Sequence, residues 1–371
     1  MSISSFDPLS CLISSRLLSV RDMSEAILEQ TASLPADEAL AVLNQHRSQY
    51  EDDVPFLSHV AECALEVGDV DDAYHCLTKA CQLDPEAAQG PEKFFSLGQI
   101  TGGEEGVAYF TTGLARLRNT LENGVTTPEV IAKMISAIFA TVEIWLTDLA
   151  DHDESLAKCQ ELLEYAHQLD DSNGETYALK AQVLILENKF ADASTAIHRA
   201  WELIQQRLAQ LAAEGSQDPF VYVELIQPMA SMIKSALETA NYELAALMCQ
   251  RVAEIDDNLL EIYYYEALAH LMSVKQALGL DLDADVDAVV QAIQAHGDAT
   301  QKAELESMVT DARSALTQGF RVIQTAEDAD ADVVEQVNQM LKPLGGPNMK
   351  ELMPQKDEDV NVDGWEEELD D

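Results

Sequence analysis

Six segments of this chain overlay at a helix–turn–helix spacing of thirty-four residues, and that period restricts the fold more than any other feature. A single unit of this kind cannot bury its apolar faces alone, so units in series must stack on one another. Ala39 in DEALAVL recurs thirty-four residues later as Ala73 in DDAYHCL, and Cys159 in LAKCQELL recurs as Ala193 in ADASTAI. The fullest unit starts at Val54 and reads VPFLSHVAECALEVGDVDDAYHCLTKACQLDPEA. Ala61 falls where two helices approach closely, and Gly68 accepts the left-handed conformation that ends the first helix. Ala73 and Ala80 face the partner helix, Leu77 fills the space between, and Pro85 cannot continue the second helix. The unit from Gly174 repeats the pattern with Tyr177, Ala181, Leu184, Phe190, Ala193, Ile197 and Ala200. The unit ending at Asp257 repeats it with Tyr242, Ala245, Cys249 and Val252.

The spacing matches the tetratricopeptide period, and the expected fold is all-α: a tetratricopeptide-repeat superhelical solenoid with a C-terminal capping helix and an acidic tail. Residues 1–23 have no counterpart in the repeats and read as a mobile leader, with the start left open between Met1 and Met23. The solenoid spans 24–342. Its third unit is shortened, with seven residues between Gly98 and Gly106 against eleven between Ala61 and Ala73, so its inter-helix turn is tight at Gly102 and Gly103. The fourth has an extended first helix through IAKMISAIFATVEIWLTDL. An acidic interruption follows near 281–289, then a long amphipathic helix over 299–326 that caps the apolar end of the stack. Residues 343–371, rich in Gly, Pro and acid, read as a disordered acidic tail.

Charge is the second constraint. The chain carries 67 acids against 22 bases, a formal net charge of −45, yet 47% of its residues are apolar, enough to build a core. Such a surface repels nucleic acid and anionic membranes, so neither direct nucleic-acid binding nor membrane association is expected. No stretch approaches the eighteen apolar residues of a membrane span, and the first residues lack a secretory pattern. The six cysteines are dispersed with no CxxC pair and read as small buried residues in a reducing compartment.

Motifs that would carry chemistry are scarce. Asp281, Asp283, Asp285 and Asp287 alternate like the start of a calcium loop, but Val286 stands where that loop needs Gly and Ala292 where it needs Glu. The eight histidines show no HExxH and no zinc spacing. GGEEG is not followed by GK[ST], and no nucleophile elbow or kinase set is present. The expectation is a protein without catalytic residues, metal or cofactor.

What remains is a binding surface. The tetratricopeptide resemblance implies that first helices line a concave groove, and mapping its groove positions selects Glu62, Glu66, Phe95, Asp148, Asp151, Glu175, Glu238, Glu261 and Tyr264. Lys234 is the one base found by that mapping. A wall of carboxylates with a few aromatics steers and holds a basic chain. It is the opposite of the Lys- and Arg-lined grooves that grip acidic chaperone tails.

A closer resemblance rests on GPEKFFSLGQITGGEEGVAYFTTGL, EIWLTDL followed by CQELLEYA, YELAALMCQRVAEIDDN, YYYEALAHL and the WEE-containing tail. Over roughly residues 35–371 the chain resembles the fungal tetratricopeptide assembly chaperones dedicated to ribosomal large-subunit protein four. That resemblance implies capture of the long basic internal loop of the newly made ribosomal protein. It also implies protection of the loop, passage from cytoplasm to nucleus with an import receptor engaged through the client, and release for large-subunit (60S) assembly. The competing readings are an acidic histone chaperone, whose acidic insert is normally longer than DLDADVD, and a generic repeat scaffold.

Overall fold

A computed structural model of the chain describes residues 20–215, 218–326 and 329–352, in which every regular element is helical. They fall into two compact units that divide between Asp171 and Ser172.

The N-terminal unit is a series of four antiparallel hairpins: α1 (Val20–Thr31) with α2 (Ala36–His46), α3 (Val54–Val67) with α4 (Val70–Leu83), α5 (Glu92–Thr101) with α6 (Gly103–Glu122), and α7 (Pro128–Leu146) with α8 (Ser155–Leu169). Local chemistry sets their starts. Asp53 accepts the amide of Phe56, Asp69 that of Asp72, and Thr127 that of Val130, satisfying donors that the first turn leaves open. Gly68 ends α3 at φ 88°. Phe56, Leu57, Val60, Ala61, Ala64, Leu77 and Ala80 close the core between α3 and α4, joined by Phe94 and Leu97 of α5. Burial of a side chain such as Phe56 or Leu77 contributes about 1.5–3 kcal/mol.

The shortened repeat has a steric origin. A Cβ on Gly106 would lie 2.6 Å from the carbonyl oxygen of Gly98, and one on Gly98 would lie 2.7 Å from the Phe110 ring. Helices α5 and α6 therefore meet backbone to backbone. Only Gly102 separates them, and it turns the chain at φ 63°.

The C-terminal unit contains α9 (Gly174–Leu186) with α10 (Phe190–Ala213), the short α11 (Phe220–Val223), and α12 (Ile226–Glu238) with α13 (Tyr242–Ala253). Then come α14 (Leu260–Leu278), α15 (Val286–Ala295), α16 (Ala299–Thr325), α17 (Ala331–Leu341) and α18 (Met349–Leu352). The first helices α9, α12 and α14 are neighbours, with α12 touching both of the others. Asn188 and Ala240 occupy the inter-helix position held by Gly68 in the other unit, at φ 60° and 57°. The helical-repeat reading of the sequence thus describes the fold.

The long α16 lies along α14. Leu260, Tyr263, Ala267 and Leu271 meet Ala312, Leu316 and Val322, with α15 and α17 closing the sides through Ile293, Val337 and Leu341. Arg321 ties α16 to Asp257 at 2.9 Å. Part of the acidic interruption over 281–289 is helical, because Asp285 accepts the amide of Ala288 and starts α15.

Two expectations need correction. Helix α1 already begins at Val20, inside the segment expected as a mobile leader, while residues 1–19 lie outside the described residues. The disordered tail expected from residue 343 is ordered as far as 352. Arg313 donates to the carbonyl of Gly346 at 2.8 Å, Thr317 Oγ1 accepts from the amide of Asn348 at 3.0 Å, and Ser314 bonds Glu351 at 2.9 Å. These bonds to α16 recruit the segment despite its composition. Residues 353–371 lie outside the described residues.

Candidate client-binding surface

The first helix of each hairpin offers one face that its own second helix does not cover, and the carboxylates on that face follow from the helical register. On α3, Cys63 and Ala64 point into the core, which leaves Glu62 and Glu66 exposed. Glu62 has only a long approach to His59, 3.4 Å within the same helix. In the C-terminal unit Glu238 is exposed at the end of α12, and Glu261 is exposed in the first turn of α14. These four carboxylates stand on first helices in water. Glu175, in the first turn of α9, is half-buried.

Two of the mapped residues make contacts with α6, and a third lies off the helix face. Phe95 is half-buried; its ring stacks on Phe110 of α6 at 5.7 Å and 20°, and it lies against Gly113, whose missing side chain makes the room. Asp148 and Asp151 lie beyond the end of α7, because the helix expected through residue 149 stops at Leu146. Asp148 instead accepts the amide of Gly103 at 2.8 Å, capping the start of α6, where a carboxylate also meets the positive end of the helix dipole. Asp151 is exposed in the α7–α8 turn, off the helix face.

Tyr264 is half-buried on α14, and burial, then the neighbouring Tyr265, raises its phenol above the ordinary range. The three consecutive tyrosines diverge by the helical step. Tyr263 turns into the core and donates to the carbonyl of Asp257 at 3.1 Å, Tyr264 packs against the C-terminal cluster, and Tyr265 turns toward α12. Sequence mapping passed over Tyr265, which is one position out of the groove register. The YYY run was the signal available, since three adjacent aromatics on one helix cannot all be core. Glu266 turns inward, where burial raises its carboxyl pKa against a hydrogen bond donated by Gln250 at 2.8 Å.

Among the described residues several bases already have acidic partners. Arg47 forms a forked pair with Asp72, Lys79 approaches Asp52 at 3.1 Å, Lys133 bridges Glu92 between the first helices α7 and α5, and Arg251 pairs with Glu254. Lys133 is a first-helix base that sequence mapping missed. With 22 bases against 67 acids, such pairing leaves a large carboxylate surplus for an external cation. An exposed carboxylate can accept a charge-assisted hydrogen bond from Arg or Lys, and forked pairing favours Arg. Among the described residues no group of three His, Cys, Asp or Glu is placed to hold a metal, and no helix is long and apolar enough to cross a membrane.

Comparison with known proteins adds a family to this geometry. Residues 258–362 match the family model described as the ACL4 C-terminal domain, a stretch that takes in α14 to α18. A Schizosaccharomyces pombe protein named probable assembly chaperone of rpl4 is 23% identical over 298 residues, covering 79% of this chain and 81% of that protein. An Emericella nidulans protein of the same name is 23% identical over 370 residues, covering 95% of this chain and 88% of its own. The solved structure of an Assembly Chaperone of RpL4 (Acl4) shares the fold, with a TM-score of 0.57 at 22% identity over 70% of this chain and 97% of that one. The similarity thus extends along most of the molecule, and the chain is similar to two fungal proteins named probable assembly chaperone of rpl4.

Proposed function

We propose that this chain is a dedicated chaperone for a ribosomal protein of the rpl4 type, whose long basic internal loop it binds on the exposed faces of its first helices. The observation that carries the proposal is similarity to two relatives named for that client, over four-fifths or more of each relative's length. The exposed Glu62, Glu66, Glu238 and Glu261 supply the physical route. A loop rich in Lys and Arg has no stable partner before it meets ribosomal RNA, and while free it binds RNA without discrimination. A carboxylate-rich helical wall competes for the same guanidinium and ammonium groups and releases them where RNA offers more charge. Escort from cytoplasm to nucleus, with the import receptor acting through the client, and delivery for 60S assembly belong to the same proposal.

The test is co-purification of the full chain with rpl4 and with rpl4 lacking the internal loop, followed by fluorescence anisotropy of a labelled loop peptide across a salt series. Capture should require the loop, and affinity should fall steeply toward physiological salt because exposed charge pairs are screened beyond about 10 Å at 0.1 M. Equal capture of the loopless client would defeat the assignment, and salt-independent affinity would remove the carboxylate wall as its cause.

A further inference from the structure

Lys234 stands on α12, exposed, in a chain where carboxylates outnumber bases threefold, yet among the described residues it forms no ion pair. Its ammonium instead lies 5.8 Å from the ring centre of Tyr265 on α14. Tyr264 flanks that ring at 5.4 Å, tilted by 56°. Exposed carboxylates Glu238 and Glu261 stand on the same two helices. The contrast with Lys133 is informative. That base, also on a first helix, takes the carboxylate of Glu92, as Coulomb attraction favours. At Lys234 the chain offers its cation a ring face in place of a carboxylate.

An aromatic face that holds the protein's own cation is also a place for a foreign one. Ammonium over an exposed ring gains little and keeps most of its hydration, whereas guanidinium is planar, weakly hydrated and stacks on the ring while its N–H groups remain available to nearby acids. The lysine stem is long and flexible, so its head group can leave for water at small cost. We propose that the Tyr265 face is an arginine seat within the α12–α14 wall, and that Lys234 is its resident placeholder, displaced when an arginine of the basic client chain arrives. The proposal rests on the client reading given above and adds a position and a preference, arginine over lysine.

Four consequences follow from the geometry. Removing the placeholder by Lys234→Ala frees the ring and removes a like charge, so an Arg-rich peptide should bind more tightly, by about two- to fivefold. Tyr265→Leu keeps apolar bulk but removes the ring face, so affinity should fall by about two- to fivefold and the preference for arginine should shrink. Tyr265→Phe retains the ring and should bind as the parent does. Because the lysine and the ring form one unit, the gain from Lys234→Ala should also be lost in the Tyr265→Leu background.

The experiment uses the full chain and two labelled peptides of equal length, one Arg-rich and one with every Arg replaced by Lys, in low-salt fluorescence anisotropy. Lys180→Ala, an exposed lysine on α9 that sits on no aromatic ring, reports the effect of net charge alone. The seat is supported if Lys234→Ala tightens binding of the Arg peptide more than Lys180→Ala does, and if Tyr265→Leu abolishes that difference. The seat is overturned if the two lysine variants behave alike, or if Tyr265→Leu leaves both affinity and arginine preference unchanged. Glu238→Lys with Glu261→Lys is run alongside. If that variant weakens binding while Tyr265→Leu does not, the wall stands and the seat falls; if neither weakens binding, the client reading itself is wrong.

Discussion

Asp84, at the end of α4, and Lys93, in the first turn of α5, form a buried ion pair, and removing its acid is the sharpest available test of what holds the repeats in register. The two side chains are 7% and 1% exposed, with Lys93 Nζ 2.8 Å from Asp84. The carboxylate also accepts the amides of Ala88 at 2.9 Å and Gln89 at 2.8 Å, while Lys93 donates a second bond to the carbonyl of Gly90 at 2.6 Å. Asp84→Ala removes three hydrogen bonds at once and leaves an ammonium in the core with only the Gly90 carbonyl and the Phe94 ring, 5.3 Å away, beside it. Breaking a buried pair from one side costs about 3–5 kcal/mol, a large share of the roughly 5–15 kcal/mol that holds a domain folded. Lys93→Met leaves the carboxylate its two amide donors and should cost less, about 2 kcal/mol. The double variant buries no unpaired charge and should be more stable than Asp84→Ala alone.

Acid should expose the same linkage. Burial by itself would raise the Asp84 carboxyl, but the bonds from Lys93, Gln89 and Ala88 outweigh it and hold the group below the usual carboxylate range. A lowered folded-state pKa means that the contribution is full above the unfolded value of about 3.9 and vanishes as pH falls through the lower folded value. Parent and Asp84→Ala should therefore converge in strong acid. Urea unfolding by far-ultraviolet circular dichroism gives the global cost, and amide exchange over residues 84–101 gives the local one. A change within about 0.5 kcal/mol at pH 7, or a double variant no better than Asp84→Ala, would refute the reasoning.

Ala240 sits at φ 57° where Gly68 ends the equivalent turn, so Ala240→Gly should stabilise by about 0.5 kcal/mol in thermal melts; Gly68→Ala should do the reverse. Gly106→Ala drives a methyl onto the Gly98 carbonyl oxygen and should cost about 1–3 kcal/mol by urea titration, with a parent-like melt counting against the close packing. Glu62→Lys with Glu66→Lys should weaken loop-peptide binding more than Glu122→Lys with Glu164→Lys, which lie exposed on second helices; equal losses would mean that only net charge matters. Asp72 is unsuitable as such a control because Arg47 holds it in the forked pair. Burial pushes the Cys81 thiol up to about 12 and the Cys159 thiol up to about 11, so neither should react with a thiol reagent at pH 8 faster than the protein unfolds.

The repeat was legible because it is written in residue size and in caps. Ala61, Ala73 and Ala80 mark close helix contacts, Asp53 and Asp69 mark starts, and Gly68 marks an end, each for a reason that acts within a few residues. The acidic balance and the scarcity of catalytic motifs were equally local facts, and they pointed to a basic partner before any fold was known. Side chains that depend on a second element were not legible. Period placed Phe95 on the open face of its helix, but it could not show that the ring lies against the glycine at 113, eighteen residues away on another helix. Asp148 carried the same charge as the other candidates, and only the arrival of the Gly103 amide, forty-five residues distant in sequence, made it a cap. Residues 343–352 read as tail by composition, yet α16 supplies the partners that order them. Lys234 was legible as the one base at the mapped groove positions, but only the packing of α12 on α14 sets it over the Tyr265 ring. Sequence determines which face of a helix is apolar and where the helix starts and stops, because those depend on near neighbours. Which of the remaining polar groups meet water and which meet each other depends on contacts between distant segments, and only the packed structure decides that.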